Sequence, residues 1–226
     1  MFNQRLAQEM FGVTNESDLR SKLYGTWSDL TPDEAISIIE CLEKFENPKY
    51  CEIGVYFGGN FKNTNDWLRE NKENFHMYGV DLFEDLKQEI QNDQTHDLYN
   101  KWNMLNVAVK EELEQSLDAQ FCKNFTLVKG SSDKATLTLP EKCDVFFIDG
   151  NHTYDQSLAD AEACIKMANP GAYLVFHNAS TDIQPDPQYV ERDGGPWAVC
   201  EMLSNRENLT YVKLVDRCAI MRVEDV

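Results

Sequence analysis

The run Val145-Phe146-Phe147-Ile148 is apolar without a break, and Asp149-Gly150-Asn151-His152 follows it at once. Strict alternation would mark a strand with one wet face. Four consecutive apolar residues bounded by turn formers mark a strand covered on both faces. Thr153-Tyr154-Asp155-Gln156 then reads as a capping box that launches a helix carrying Leu158, Ala161, Ile165 and Ala168 on one face. Asn169-Pro170-Gly171 reads as its stop, and Ala172-Tyr173-Leu174-Val175-Phe176 as the next strand. Strand, helix, strand in this order is the crossover unit of a parallel sheet.

The same alternation extends upstream. Tyr50 to Val55 is a short β-prone run that opens into the turn Gly54 to Gly59, and a helix is expected over Asn63 to Glu70. His76 to Asp81 and Phe125 to Val128 are two more strands, with a polar, helix-prone stretch over 84–120 between them. The segment through about residue 47 reads as helix. Thr31-Pro32-Asp33-Glu34 is its clearest start signal: a Thr cap, a Pro in the first turn, and a Glu three residues on to return the bond. Downstream, 178–195 reads as a long acidic loop and Trp197 to Leu203 as a helix. Tyr211 to Val215 and Cys218 to Val223 read as a hairpin turned by Asp216-Arg217. The expected fold is α/β: a Rossmann-like, doubly wound, seven-stranded sheet, mostly parallel, with a C-terminal antiparallel hairpin and N-terminal helices. One domain is expected over 1–226, with 1–47 as a helical cap and 48–226 as the core.

Composition narrows the function. The 226 residues carry 21 Lys+Arg against 39 Asp+Glu, a net charge of -18. Such a field repels phosphate backbones and anionic membranes, which argues against a nucleic-acid or membrane partner. Met1 is followed by no apolar core of a secretion signal, and no apolar run approaches a membrane span. Cys41, Cys51, Cys122, Cys143, Cys164, Cys200 and Cys218 include no CxxC pair, and mostly sit in apolar runs, as reduced buried thiols do. A cytoplasmic protein is expected.

Ligands of open parallel sheets bind beyond the carboxyl ends of the strands, so residues just after each strand carry the chemistry. Glu52-x-Gly54-x-x-x-Gly58-Gly59 strips side chains from the first turn, but its spacing is not the dinucleotide G-x-G-x-x-G. Asp81, at the second tip, is placed to accept both hydroxyls of a ribose. At the fourth and fifth tips stand Asp149, His152, His177 and Asn178. Two uses of them stay open. Asp149 with Asn178 suits Mg²⁺, whereas His152 suits proton transfer near neutral pH. His76 and His96, the other two of the four histidines, lack such neighbours and read as packing or surface residues.

Taken together, E-I-G-V-Y-F-G-G from Glu52, Y-G-V-D-L-F from Tyr78, V-K-G-S-S from Val128, F-I-D-G-N-H-T-Y from Phe147 and P-G-A-Y-L-V-F-H-N from Pro170 resemble the class I S-adenosylmethionine-dependent methyltransferases. The branch most similar is that of small-molecule O-methyltransferases, which includes macrolide-sugar and catechol-type enzymes; the resemblance covers about 48–223. It implies that Glu52, Gly54 and Gly58 hold the methionine part of the cofactor, Asp81 the ribose, and Ser132 the adenine end. It implies Asp149, His177 and Asn178 as a metal set, for Mg²⁺, and Asp149 beside the cofactor. It implies His152 as the general base toward a hydroxyl of a sugar, polyketide or phenolic acceptor. His177 stands where catechol-type members carry an acid, Asn178 where many relatives carry Asp, and Ala172 where a second Gly is usual. No D/N-P-P-Y tetrapeptide follows the fourth strand, which sets the chain apart from the amino-methyltransferase branch. A small-molecule nitrogen acceptor, a cofactor-binding protein without catalysis, and a nicotinamide enzyme are the competing readings, and a homo-oligomer stays open.

Overall fold

Thr31 shows why the first element begins where it does. Its Oγ1 accepts from Glu34 N at 3.3 Å while Glu34 Oε2 accepts from Thr31 N at 2.7 Å, so the expected capping box is formed. It opens helix α1, Pro32–Leu42. This is a computed structural model, and it describes residues 30–55, 58–82, 124–180 and 195–224. The expected helix over 84–120, any helix before residue 30, most of the 178–195 loop, His96 and Cys122 lie outside the described residues.

The elements that follow are β1 (Lys49–Ile53), α2 (Gly59–Asn71), β2 (His76–Asp81), β3 (Phe125–Lys129), α3 (Ser132–Thr136), β4 (Cys143–Ile148), α4 (Tyr154–Lys166), β5 (Ala168–Phe176), α5 (Gly195–Leu203), β6 (Leu209–Val215) and β7 (Cys218–Val223). One sheet holds all seven strands in the order β3-β2-β1-β4-β5-β7-β6. The pairs from β3 to β5 are parallel, and β5–β7 and β7–β6 are antiparallel. The order reverses between β1 and β4, which pair directly through Ile53 and Ile148. Parallel sheets of this winding open a crevice at that reversal.

β4 explains the layering. All six of its residues are buried. Val145 and Phe147 join Tyr50, Phe61, Trp67 and the α1 residues Ile38, Ile39 and Leu42 on one face. Phe146 and Ile148 join Cys51, Ile53, Ala161, Cys164, Val199 and Leu203 on the other. Each fully buried large side chain contributes about 1.5–3 kcal/mol, so this unbroken apolar run anchors both layers. Cys41, Cys51, Cys143, Cys164, Cys200 and Cys218 are buried free thiols, as expected.

Three local expectations are corrected. Helix α2 starts at Gly59, four residues before the expected Asn63, because Gly58 in the left-handed region (φ 76°) turns the chain directly into it. Thr153 caps α4 without a side-chain bond. Asn151 Oδ1 takes the Thr153 N–H at 2.9 Å instead, and Gln156, the expected return partner, bonds Asp160 Oδ1 at 2.8 Å. The Asn169-Pro170-Gly171 signal interrupts β5 rather than preceding it. Ala168 pairs with Cys143, and the ladder resumes only at Tyr173 opposite Val145. Pro170 offers no N–H, and Gly171 sits at φ 80°, so these residues loop out of the ladder. Asn169 Nδ2 ties the bulge down on Asp144 Oδ1 at 2.7 Å.

Candidate active site at the strand tips

Backbone bonds that continue the ladder fix the tips of the central strands. Gly54 N donates to Val80 O at 2.9 Å, Asp149 N to Ile53 O at 2.9 Å, and His177 N to Ile148 O at 3.0 Å. Gly130 N donates to Asp81 O at 2.9 Å, which ties the turn after β3 to the tip of β2. Glu52, Gly54, Asp81, Ser132, Asp149, His152 and His177 therefore lie on or just beyond one edge of the sheet.

Gly54 has a packing role in addition to the expected approach of a ligand. Its φ is +81°, and a β-carbon there would stand 2.1 Å from the Asp149 carbonyl oxygen. The missing side chain lets β1 and β4 close against each other. Glu52, 1% exposed, accepts on Oε2 from Tyr50 Oη at 2.6 Å and Asn60 Nδ2 at 2.8 Å. Burial pushes its carboxyl up to about 8 against those two bonds, and the Asp149 and Asp81 carboxylates add to the rise. At neutral pH Glu52 is mainly a neutral acid, a donor as well as an acceptor.

Asp149 is the hub. Its Oδ1 lies 2.8 Å from His177 Nδ1 and 3.2 Å from His152 Nε2. Burial pushes the Asp149 carboxyl up, but the positive His177 ring and bonds from both imidazoles outweigh it and hold it well below the usual carboxylate range. His177 is 1% exposed. Burial lowers its pKa, yet the charge and bond of Asp149, with Glu34 behind, lift it to about 10. Its Nε2 has no hydrogen-bond partner and stands 3.7 Å from Glu34 Oε2, the distance of an ion pair rather than a bond. A carboxylate thus faces each ring nitrogen, which suits an imidazolium.

The sequence reading missed the far side of this network. Glu34 is fully buried. Besides capping α1 it takes Arg217 N at 2.9 Å, Nε at 3.0 Å and Nη2 at 3.0 Å on its two oxygens. Burial raises its carboxyl, but His177, Arg217 and the Thr31 N–H bring it down to about 2. Arg217, Glu34, His177, Asp149 and His152 form a chain of alternating basic and acidic groups from the hairpin turn to the site. The only signals in the sequence were a helix-cap Glu and a turn Arg, residue types that carry these jobs in any protein.

Asp149, His152 and His177 each offer a ligand atom, all within 4.8 Å of one another. Asn178, the third member of the expected metal set, turns its Oδ1 to Arg217 Nη1 at 3.3 Å, from a left-handed backbone (φ 53°). Two imidazoles and one carboxylate do not suit Mg²⁺, which is held by oxygens. His177 Nδ1 is moreover bonded to a carboxylate, where it must donate. These residues do not fit the Mg²⁺ that the resemblance implies. Ser132 opens α3, and its Oγ donates to Asp160 Oδ1 at 2.6 Å. Gly195, at the start of α5, packs so closely that a β-carbon would be 2.1 Å from the His152 carbonyl oxygen.

A family model described as a methyltransferase domain matches residues 51–179, which spans β1 through the tip of β5. An uncharacterized protein of Acanthamoeba polyphaga mimivirus is 29% identical over 131 residues, 56% of this chain and 49% of that protein. The match thus spans about half the length of that relative. Among solved structures, a Podospora anserina methyltransferase with bound S-adenosylhomocysteine aligns at TM-score 0.62 and 13% identity, over 91% of this chain and 87% of its own. The O-methyltransferase TomG of Streptomyces achromogenes, in complex with S-adenosylmethionine, aligns at 0.57 and 14%, over 98% and 88%. An O-methyltransferase from Bacillus cereus with S-adenosylhomocysteine aligns at 0.57 and 14%, over 98% and 96%. At these identities the structures attest the shared fold. With the model covering more than half of its length, and the sheet order and strand tips already in place, the chain belongs to the methyltransferase-domain family.

Proposed function

We propose that the protein is an S-adenosylmethionine-dependent O-methyltransferase acting on a hydroxyl of a small molecule, with His152 as general base. The observation that carries this reading is Asp149 bridging two imidazoles at the β4 and β5 tips, directly beside the β1 turn. On this reading 48–226 is the catalytic unit, and 1–47 is a cap that reaches the site through Glu34. Glu52, Gly54 and Gly58 surround the methionine part of the cofactor, Asp81 takes the ribose, and Ser132 lies at the adenine end.

The bound cofactor supplies an electrophilic methyl group on a sulfonium. The chain must bring an acceptor oxygen into line and remove its proton. Alignment of two reactants in one site contributes several kcal/mol to the barrier. A carboxylate can only accept, so His152 Nε2 carries the proton shared with Asp149 Oδ1, and Nδ1 holds the lone pair. The proton of an acceptor hydroxyl aligned with that methyl group would pass to His152 Nδ1. Asp149, kept ionised by His177, steadies the imidazolium that results. No step passes through a metal. The acidic surface favours neutral or cationic acceptors over polyanions.

His152→Ala tests the assignment. Turnover should fall about 10²–10⁴-fold, while S-adenosylhomocysteine binding, read by calorimetry, stays within about twofold. Binding that falls in parallel with turnover would remove His152 from the role of base.

A further inference from the structure

Asp160 occupies an expensive position. It lies midway along α4, 1% exposed, beside Ala161 and Cys164 of the apolar layer. A carboxylate held out of water costs several kcal/mol unless it is well bonded, and an apolar residue of similar size would cost nothing of the kind. Only half of Asp160 is compensated. Oδ1 accepts from Ser132 Oγ at 2.6 Å and Gln156 Nε2 at 2.8 Å. Oδ2 is buried with no partner, and it lies so close under Gly150 that a β-carbon there would be 3.0 Å away. One side chain thus touches the turn after β3 and the turn after β4, the two turns that flank the nucleoside end of the proposed site.

The direction of the Ser132 bond matters. Burial lifts the Asp160 carboxyl to about 6, so at pH 8 it is ionised and can only accept. The single Ser132 hydroxyl proton is then committed to Asp160, and Gln156 Nε2 donates to Ser132 Oγ at 3.3 Å. The Ser132 oxygen has two lone pairs and no other proton. The one left over can accept and cannot donate. Ser132 is half-buried rather than sealed, and its turn is tied to the Asp81 tip by the Gly130 N–H. Resting on the cofactor reading above, we propose that Asp160 is a positioning residue that sets base specificity: by taking the Ser132 proton it makes that hydroxyl an acceptor, so the site selects a purine with an amino group at C6 over one with a carbonyl.

Calorimetry at pH 8 with S-adenosylhomocysteine and its 6-oxo analogue, S-inosylhomocysteine, tests this on the full chain. Two facing acceptors leave a polar group unpaired, so the intact protein should prefer the amino compound by about 10-fold or more. In Ser132→Ala and Asp160→Ala that ratio should fall to about twofold or less. A purely structural Asp160 would weaken both ligands equally and leave the ratio where it was. If Asp160→Ala does not fold, Ser132→Ala decides alone, since its ratio must still collapse. An unchanged ratio in Ser132→Ala, or no preference in the intact protein, overturns the proposal while the cofactor reading survives. Failure of S-adenosylhomocysteine to bind the intact protein overturns both.

Discussion

Glu34→Gln removes one charge from the buried chain while keeping nearly the same shape and an oxygen for the Thr31 N–H. Glu34 is 0% exposed, so solvent does not screen what it loses. Its carboxyl lies at about 2 against an ordinary 4.5, and at about 1.4 kcal/mol per pH unit the folded state favours the ionised form by about 3 kcal/mol. That sum is shared with Arg217 and His177 and cannot be counted again from their side. Removing one partner of a buried ion pair costs about 3–5 kcal/mol, which agrees. Urea unfolding at pH 7 should therefore show Glu34→Gln about 3 kcal/mol less stable. The pH dependence follows from the signs. A lowered carboxyl stabilises above pH 4.5, and that stability is lost as pH falls toward 2. The raised His177 stabilises below pH 6.5, and its share is lost as pH climbs from there to about 10. The intact protein should lose stability on both flanks, and the variant should show a shallower fall on each. A loss below about 1 kcal/mol with both flanks unchanged would mean that Glu34 is solvated in solution and that the chain of alternating charges does not exist.

Other outcomes follow from the same geometry. Asp81→Ala should weaken S-adenosylhomocysteine binding about 10-fold or more by calorimetry, with a smaller effect on turnover at saturating cofactor; the reverse pattern would move Asp81 out of the ribose site. Excess EDTA should leave methyl transfer unchanged, because the donors at the tips do not suit Mg²⁺; a loss restored by Mg²⁺ would reinstate the metal. Gly54→Ala, forced to φ +81° with its β-carbon 2.1 Å from the Asp149 carbonyl, should cost about 2–5 kcal/mol from backbone strain and overpacking. A variant that melts within a degree of the intact protein would show that the two tips part easily.

The strand tips were readable in the sequence because each follows a β-prone run that ends in glycine, acid or histidine. Capping at Thr31 was equally readable, since Thr31, Pro32 and Glu34 sit within one helical turn. The capping box at Thr153 failed on a competition that spacing does not show: Asn151 lies nearer to the Thr153 N–H, and Asp160 draws Gln156 away. β5 began early because the three-residue turn signal Asn169-Pro170-Gly171 is equally a signal for a bulge, and only pairing with Cys143 tells the two apart.

Local pattern alone settled the class of fold, the seven strands and the positions of Asp149, His152 and His177, because apolar periodicity and turn chemistry act over a few neighbouring residues. Which groups face those side chains came only with the tertiary structure. Glu34 and Arg217 are 183 positions apart along the chain and meet within 3.0 Å. Such a contact depends on how α1 docks on the hairpin, and its consequence, a histidine enclosed by two carboxylates, is a matter of distance and exclusion of water.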